Sequence, residues 1–161
     1  MILLPLGRPD YLTICRVVDS WFGDPVSYLV HPVYREHFSG TSFVAREGGG
    51  MAGFLLGFVS QDRPEVAYAH LVCTDPARRR RGIGRSLYRR FFQAAIQRGC
   101  LQVTAITVPL NQTSISFHRS LGFMLRTEGA VREGDYPVMK DFAGPGIDCV
   151  VLERSLAEPL L

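Results

Sequence analysis

The sequence predicts a single domain of mixed α/β class, with antiparallel strands in its first half and a helical crossover in its middle. Two observations support this class. Three apolar, strand-like segments follow one another between residues 42 and 74, and Glu47-Gly48-Gly49-Gly50 between the first two is suited to a hairpin turn. A long amphipathic helix then leads into a further apolar strand, which is the pattern of a crossover.

Hydrophobic periodicity and turn residues place the elements in order. Residues 2–6 are predicted as a strand, followed by helices over residues 9–21 and 26–37. The next predicted elements are strands 42–46, 51–60 and 65–74, helix 82–98, strand 101–107, helix 112–121, and strands 123–130 and 148–153. Residues 132–146 contain several glycines and prolines and are predicted as a long loop.

Size and composition indicate an ordinary globular domain that spans residues 1–161. The hydrophobic share of 47% is typical of such domains, and the longest apolar run, residues 51–59, is too short to cross a bilayer. The N-terminus lacks the basic start of a secretion signal. We therefore expect a cytoplasmic protein with no membrane partner.

The cysteines show no spacing that suggests a metal site or a disulfide framework. They are scattered and lack a Cys-x-x-Cys pair, standing at Cys15, Cys73, Cys100 and Cys149. We expect them to be small core residues, and we expect no bound metal.

The most informative segment is residues 73–86, CTDPARRRRGIGRS, which run from the end of a strand into the first turn of a helix. Free backbone N–H groups and the helix dipole favour an anion at such a helix start. Gly82 and Gly84 allow a ligand to approach the backbone, and residues 78–81 add four guanidinium groups that can pair with phosphate oxygens. The segment therefore predicts a site for a phosphorylated ligand.

Three kinds of phosphate loop compete for this segment, and the spacing excludes two of them. A nucleoside triphosphate P-loop needs Lys and then Ser or Thr after its last glycine, whereas Arg85 and Ser86 follow Gly84. A dinucleotide-binding fingerprint needs a third glycine, where Leu87 stands. The remaining pattern, R-x-x-G-x-G over residues 79–84, resembles the coenzyme A pyrophosphate loop of the GNAT acetyltransferase superfamily.

A second motif strengthens the resemblance. Residues 111–123, NQTSISFHRSLGF, are similar to the second hallmark of that superfamily, an Asn-started helix that closes on Leu-Gly-Phe. The resemblance implies the GNAT fold, a mostly antiparallel sheet of six to seven strands flanked by helices. In this fold the two adjacent parallel strands, here those ending at Thr74 and Thr107, splay apart, and coenzyme A enters the gap.

The resemblance further implies an N-acetyltransferase that moves an acetyl group from acetyl-coenzyme A to a primary amine. Val72 and Thr74 would supply backbone groups to pantetheine, and the loop would hold the pyrophosphate. The predicted cofactor-binding residues are Val72, Cys73, Thr74, Arg79, Arg80, Arg81, Gly82, Ile83, Gly84, Arg85, Ser86, Asn111 and Ser114. The alternative role of the Asn111 side chain is to cap a helix, and the alternative role of Ser114 is packing.

His118 is the predicted general acid, because it stands where many family members have the tyrosine that protonates the departing sulfur. A half-buried histidine bonded to nearby backbone is the alternative. The first candidate for the base that accepts the proton of the amine is His70. The second candidate is Glu65, at the start of the same strand. If no bulge interrupts the strand, period-two alternation would place His70 on one face with Tyr68, Val72 and Thr74. The alternative is a sheet histidine with a satisfied ring.

Two other functions remain open at this point. The fold could bind acyl-coenzyme A as a sensor without catalysis, and residues 78–81 could form a nucleic-acid patch. Because no aromatic residues are interleaved with the arginines, we expect no nucleic-acid partner. The expected acceptor is a small-molecule amine or a peptide N-terminus, and the oligomeric state is open, a homodimer included.

Overall fold

A computed structural model describes residues 1–157, so the last four residues of the predicted domain lie outside the described part. The helices are α1 (Arg8–Phe22), α2 (Val33–Glu36), α3 (Ile83–Ile96) and α4 (Gln112–Ser120). The strands are β1 (Ile2–Pro5), β2 (Phe43–Glu47), β3 (Gly50–Val59), β4 (Val66–Thr74), β5 (Gln102–Thr107), β6 (Met124–Leu125), β7 (Val131–Glu133), β8 (Tyr136–Val138) and β9 (Val150–Ser155).

The central sheet has seven strands in the order β1-β2-β3-β4-β5-β9-β6. Neighbouring strands are antiparallel except β4 and β5, which are parallel and joined through α3. The predicted fold class, a mostly antiparallel sheet of six to seven strands with one parallel pair, is confirmed. No helix within residues 1–157 is long and apolar enough to cross a membrane.

Two cores lie on opposite faces of the sheet. The first contains the buried face of α3 with residues of α4 and of the central strands, among them Phe91, Ala69 and Leu152. The second lies under α1 and α2 and includes Ile14 and Leu71. Because both faces are covered, β3 reads as a nearly continuous apolar run rather than an alternating one.

Helix α3 lies close against β3 because two glycines of that strand leave room for its side chains. A Cβ added at Gly53 would lie 2.9 Å from Ile83 Cγ2, and one added at Gly57 would lie 2.6 Å from Phe91 Cε2. This close approach fixes the N-terminus of α3 beside the end of β4.

Three predicted elements differ from the structure. The helix predicted over residues 26–37 is wrong, since a 3-10 turn at Ser27–Leu29 precedes the short α2. Proline disfavours helical backbone in the residue before it, and Pro32 therefore interrupts the helix. The Asp19 carboxylate also accepts the backbone N–H groups of Val26 and Ser27, which fixes the turn.

The strand predicted over residues 123–130 is shortened to Met124–Leu125, because the chain turns at Gly129, whose φ is +74°. The loop predicted over residues 132–146 also requires correction. Its first part is the hairpin of β7 and β8, joined by a tight turn in which Gly134 has a φ of +58°. Because proline is disfavoured within strands, Pro137 argued against a strand at the position of β8, and the hairpin was not predicted.

Candidate coenzyme A and acetyl-transfer site

The parallel strands β4 and β5 separate at their carboxyl ends. Their last paired residues are Ala69 and Ala105, and beyond that point β4 pairs only with β3 and β5 only with β9. Asp75 donates its backbone N–H to Ala52 on β3, so by alternation Val72 and Thr74 direct their N–H groups into the gap. The gap therefore presents unpaired backbone groups to a ligand.

A cavity of about 600 Å³ connects this gap with the start of α3. Its walls come from the end of β4, the arginine loop, α4 and the C-terminal end of α1. The lining residues are Trp21, Phe22, Val72, Cys73, Thr74, Arg78, Arg79, Arg80, Gly82, Ile83, Gly84, Arg85, Asn111, Thr113, Ser114, Phe117, His118 and Ser120. Most of the predicted cofactor residues are among them, whereas Arg81 and Ser86 are not.

The arginine loop enters α3 through left-handed backbone. Arg80 has a φ of +63°, unusual for a residue with a side chain, and Gly82, the N-cap of α3, has φ +77° and ψ +6°. No side chain caps the helix, and the first helical hydrogen bond of this turn runs from the N–H of Ser86 to the Gly82 carbonyl. The preceding N–H groups of the first turn are thus available to an anion.

The arginines of the loop fall into two groups. Arg78 pairs with Asp75 and donates to the Glu47 carbonyl, and Arg81 forms an ion pair of 3.0 Å with Glu47. These two side chains hold the loop against the β2–β3 hairpin. Arg79 donates to the Trp21 carbonyl at 2.6 Å, which ties the loop to the end of α1.

Arg80 and Arg85, by contrast, line the cavity without a hydrogen bond or ion pair to any residue that the structure describes. Their guanidinium groups are therefore free to meet an anion, which the other arginines of the loop are not. The sequence could not separate the two groups, because Glu47 and Trp21 are distant along the chain.

The close packing of α3 against α4 also requires a glycine at position 84, and the sequence did not reveal this requirement. A Cβ at this position would lie 2.9 Å from Phe117 Cζ on α4. The absence of a side chain lets α3 and α4 approach each other at the cavity floor.

His118 lies at the edge of the cavity but is 4% exposed, and both ring nitrogens are engaged. Nδ1 is 2.7 Å from the Ser114 carbonyl, which only accepts, so Nδ1 carries the proton. Nε2, 2.6 Å from the Tyr88 hydroxyl, then accepts from Tyr88. Burial lowers the pKa of His118, so the ring is neutral and directs no free proton into the cavity. This bonding favours the alternative role, a histidine bonded within the protein.

Asn111 caps α4, since its side-chain oxygen accepts the N–H of Ser114 at 3.0 Å. The cap aligns Ser114 and Phe117 on one face, three residues apart, toward the cavity. Contact of either Asn111 or Ser114 with a cofactor stays a prediction. Cys73 lines the cavity and also packs in the second core, and burial raises the pKa of its thiol to about 11.

His70 occupies a bulge in β4, because Leu56 pairs with Leu71 whereas Gly57 pairs with Ala69. The extra residue turns both His70 and Leu71 toward the α1 and α2 face, while Val72 packs against the other core. The predicted common face for His70 and Val72 is therefore wrong. Regular alternation could not anticipate the bulge.

His70 is not among the residues that line the cavity, and its bonding within residues 1–157 leaves one ring nitrogen available. Nε2 lies 3.0 Å from the Leu29 carbonyl, which only accepts, so Nε2 carries the proton and Nδ1 keeps its lone pair. The Tyr34 ring stacks on the imidazole at 5.0 Å between centroids. Burial lowers the pKa of His70, so the ring is neutral at pH 7.

Glu65 is not brought to the cavity. It precedes β4, and its carbonyl accepts the N–H groups of Leu101 and Gln102 at the closed end of the parallel pair. At about 3.3 Å per strand residue, it stands roughly 20 Å before Val72. The geometry thus gives no support to the prediction of Glu65 as the second candidate base.

Six cavity residues were predicted neither as cofactor-binding nor as catalytic, and these are Trp21, Phe22, Arg78, Thr113, Phe117 and Ser120. The spacing of Phe117 from Ser114 on one helix is a signal that could have found it. Trp21 stacks on Phe54 at 6.2 Å and reaches the loop only through the tertiary fold, so no local signal exists. Within residues 1–157, no cluster of three His, Cys, Asp or Glu side chains could hold a metal ion.

Residues 12–123, more than half of the chain, match the model of the acetyltransferase (GNAT) family. The chain belongs to the GNAT family. It is 27% identical over 108 residues to the L-2,4-diaminobutyric acid acetyltransferase of Nocardia farcinica, covering 66% of this chain and 56% of that protein. It is 28% identical over 120 residues to the enzyme of the same name from Virgibacillus pantothenticus, covering 74% of this chain and 72% of that protein.

The fold of this GNAT chain is also that of solved structures. The structure of YncA from Salmonella typhimurium with its cofactor acetyl-CoA matches with a TM-score of 0.72 and 18% identity, covering 99% of this chain and 96% of that one. This level of identity shows the fold alone. The chain spans little more than half of the Nocardia relative.

Proposed function

We propose that this GNAT protein is an acetyl-coenzyme A dependent N-acetyltransferase acting on a primary amine by direct attack in a ternary complex. One observation carries the proposal. The uncapped start of α3 lines the same cavity as the open edge of β4, together with Arg80 and Arg85, which have no partner among residues 1–157. Such a cavity suits a ligand with a phosphate group at one end and amide groups along its length.

In this proposal, the loop over residues 79–86 holds the pyrophosphate, and Val72 and Thr74 pair with the amides of pantetheine. Acetyl-coenzyme A supplies the acyl group as a thioester. A backbone N–H of residues 72–74 stabilises negative charge on the carbonyl oxygen. Ser114 and Asn111 line the wall opposite β4.

His70 is the proposed general base. An ammonium ion has no lone pair for attack, so a proton must leave the amine first. The neutral imidazole, with Nε2 bonded to the Leu29 carbonyl, offers the Nδ1 lone pair for that proton. The amine nitrogen then bonds to the acetyl carbon and the carbon–sulfur bond breaks. The departing thiolate takes up the second proton that the nitrogen releases, and coenzyme A leaves as the free thiol.

The departing thiolate needs no acid from His118 in this scheme, because a thiol of pKa about 8.5 is a tolerable leaving group unaided. Both His118 nitrogens are already bonded to Ser114 and Tyr88. His118 therefore holds the α3–α4 contact beside the cavity. The proposed acceptor is a small-molecule amine or a peptide N-terminus, and the proposed location is the cytoplasm.

Calorimetric titration with coenzyme A tests the pyrophosphate site. Gly82→Asp should abolish measurable binding, because it places a negative side chain at a left-handed helix start that faces an anion. Arg85→Gln should weaken binding about tenfold, the effect expected for one charge-assisted contact. The matched control is Arg89→Gln, at an exposed arginine of α3 that lies outside the loop and the cavity lining, and it is expected to change affinity less than threefold. Wild-type affinity in Gly82→Asp would refute the assignment.

A further inference from the structure

Five aromatic rings form a closed cycle of contacts on the α1 and α2 side of the sheet. Their centroid distances, taken in order around the cycle, are 5.9, 5.3, 5.4, 6.1 and 5.0 Å. We call this set the aromatic ring cluster, and its members are Tyr34, Phe38, Phe58, Tyr68 and His70. Tyr34 is buried and the other four members are partly exposed, so the cluster has an accessible side.

The cluster lies where the parallel strands part. Tyr68 and Ala69 are in the last paired stretch of β4, and His70 is the bulged residue immediately after it. The bulge brings the imidazole to the same face as the Tyr68 ring. The cluster therefore adjoins the apex of the gap, on the face opposite α3.

The polar atoms of the cluster are not satisfied internally. Among residues 1–157, neither the Tyr34 nor the Tyr68 hydroxyl has a hydrogen-bond partner, and Nδ1 of His70 has none. Burial raises the pKa of Tyr34, and it raises that of Tyr68 to about 12, so both phenols are neutral. Within the same residues, no side chain of the cluster forms a hydrogen bond with a carboxylate.

We propose that the aromatic ring cluster binds the acceptor, and that the acceptor is a primary monoamine carried on an aromatic or aliphatic body. This inference rests on the proposed function and names the substrate class of the same site. The ring faces remove the apolar body from water and attract the ammonium ion as it enters. His70 Nδ1 accepts its proton, and the Tyr hydroxyls offer hydrogen bonds to the amine.

Acceptors with several cationic groups fit this site poorly. Each further ammonium ion of a polyamine or an aminoglycoside would lose water next to neutral rings, and the five side chains of the cluster offer it no negative charge. The same holds for the zwitterionic end of a diamino acid. The cluster thus predicts a preference that differs from the substrate named for the Nocardia and Virgibacillus relatives.

The test measures thiol release from acetyl-coenzyme A with 2-phenylethylamine, spermidine, kanamycin and L-2,4-diaminobutyrate. We expect kcat/KM for 2-phenylethylamine to exceed each of the others by about tenfold or more. Phe58→Leu should lower that value about tenfold through KM, and Phe38→Leu provides a second ring truncation should the first variant fold poorly. Coenzyme A affinity should stay unchanged in both.

The matched control is Phe142→Leu, at an exposed phenylalanine outside the cluster, which should leave kcat/KM unchanged. A preference for spermidine, kanamycin or L-2,4-diaminobutyrate would overturn the inference, as would equal kcat/KM in the Phe58→Leu and Phe142→Leu proteins. If no amine releases thiol, the proposed function fails. Calorimetric titration of the coenzyme A complex with 2-phenylethylamine then tests the acceptor inference separately from catalysis. Saturable binding that is weakened by Phe58→Leu would support the inference, and the absence of binding would refute it.

Discussion

Four consecutive arginines of identical chemistry have different partners in this GNAT protein. Arg78 and Arg81 are bonded within the protein, and Arg79 is tied to the end of α1. Arg80 lines the cavity and has no partner in the described part of the chain. The motif spacing predicted the loop and its anion preference. It could not predict which guanidinium groups are free, because their partners come from another hairpin and another helix.

His118 shows the same limit. Its position in the second motif predicted an acid, while the carbonyl of Ser114 and the hydroxyl of Tyr88 occupy both its nitrogens. Ser114 lies one turn away on the same helix, so that contact was foreseeable from the sequence. Tyr88 belongs to α3, and only the packing of α3 on α4 brings it close.

His118→Gln tests the structural role of this residue. We expect the free energy of unfolding at pH 7 to fall by about 1–3 kcal/mol. Glutamine lacks the buried ring contacts of the imidazole with Tyr88, Phe117 and Phe123 and does not reproduce its paired bonds to Ser114 and Tyr88. Urea denaturation measures the change, with His37→Gln as a control at an exposed histidine. Unchanged stability together with lost thiol release would instead support the acid role.

The pH dependence of stability provides a second readout of the same variant. Burial lowers the pKa of His118 in the folded state below its ordinary value of 6.5, so the unfolded chain binds the proton more readily. The contribution of the neutral ring is complete above pH 6.5 and is lost as the pH falls from 6.5 through the folded-state pKa. His118→Gln should therefore lose less stability than wild type between pH 7 and pH 5.

At the level of elements, the predictions that held were those with a long periodic signal. Helix α3 and strands β2 to β5 were found near their predicted bounds, because their apolar patterns coincide with tertiary burial. The break at Pro32 and the β7–β8 hairpin were not predicted, and a bulge at His70 removed the alternation on which its predicted face depended. In each case the backbone conformation at one or a few residues, rather than the hydrophobic pattern, decides the local structure.

The close packing of α3 on β3 predicts that a side chain added at Gly57 destabilises the protein. Gly57→Ala should lower the free energy of unfolding by about 1–3 kcal/mol, because the added Cβ would lie 2.6 Å from Phe91 and 2.8 Å from the Tyr68 carbonyl oxygen. The control is Gly50→Ala in the same strand, where the nearest atom would be 3.5 Å away. Denaturant unfolding of the two variants should separate them, and equal stabilities would show that α3 can shift freely.

At the scale of the whole molecule, the site is defined by the two covered faces of the sheet and by the gap between the ends of β4 and β5. The cores under α3 and under α1 and α2 hold the sheet from both sides, while the ends of β4 and β5 stay apart. The cavity with the arginine loop lies along this gap, and the aromatic ring cluster adjoins the apex of the gap from the other face. The two substrates of a direct transfer would then meet at the splay from opposite sides.

The most direct test of this account measures amine-dependent release of thiol from acetyl-coenzyme A, with mass spectrometry of the amine product. We predict that wild-type protein releases thiol in step with the acetylated amine, and that Gly82→Asp does neither. Tight binding of coenzyme A with no thiol release from any amine of a broad panel would contradict the account and indicate a protein that senses acyl-coenzyme A.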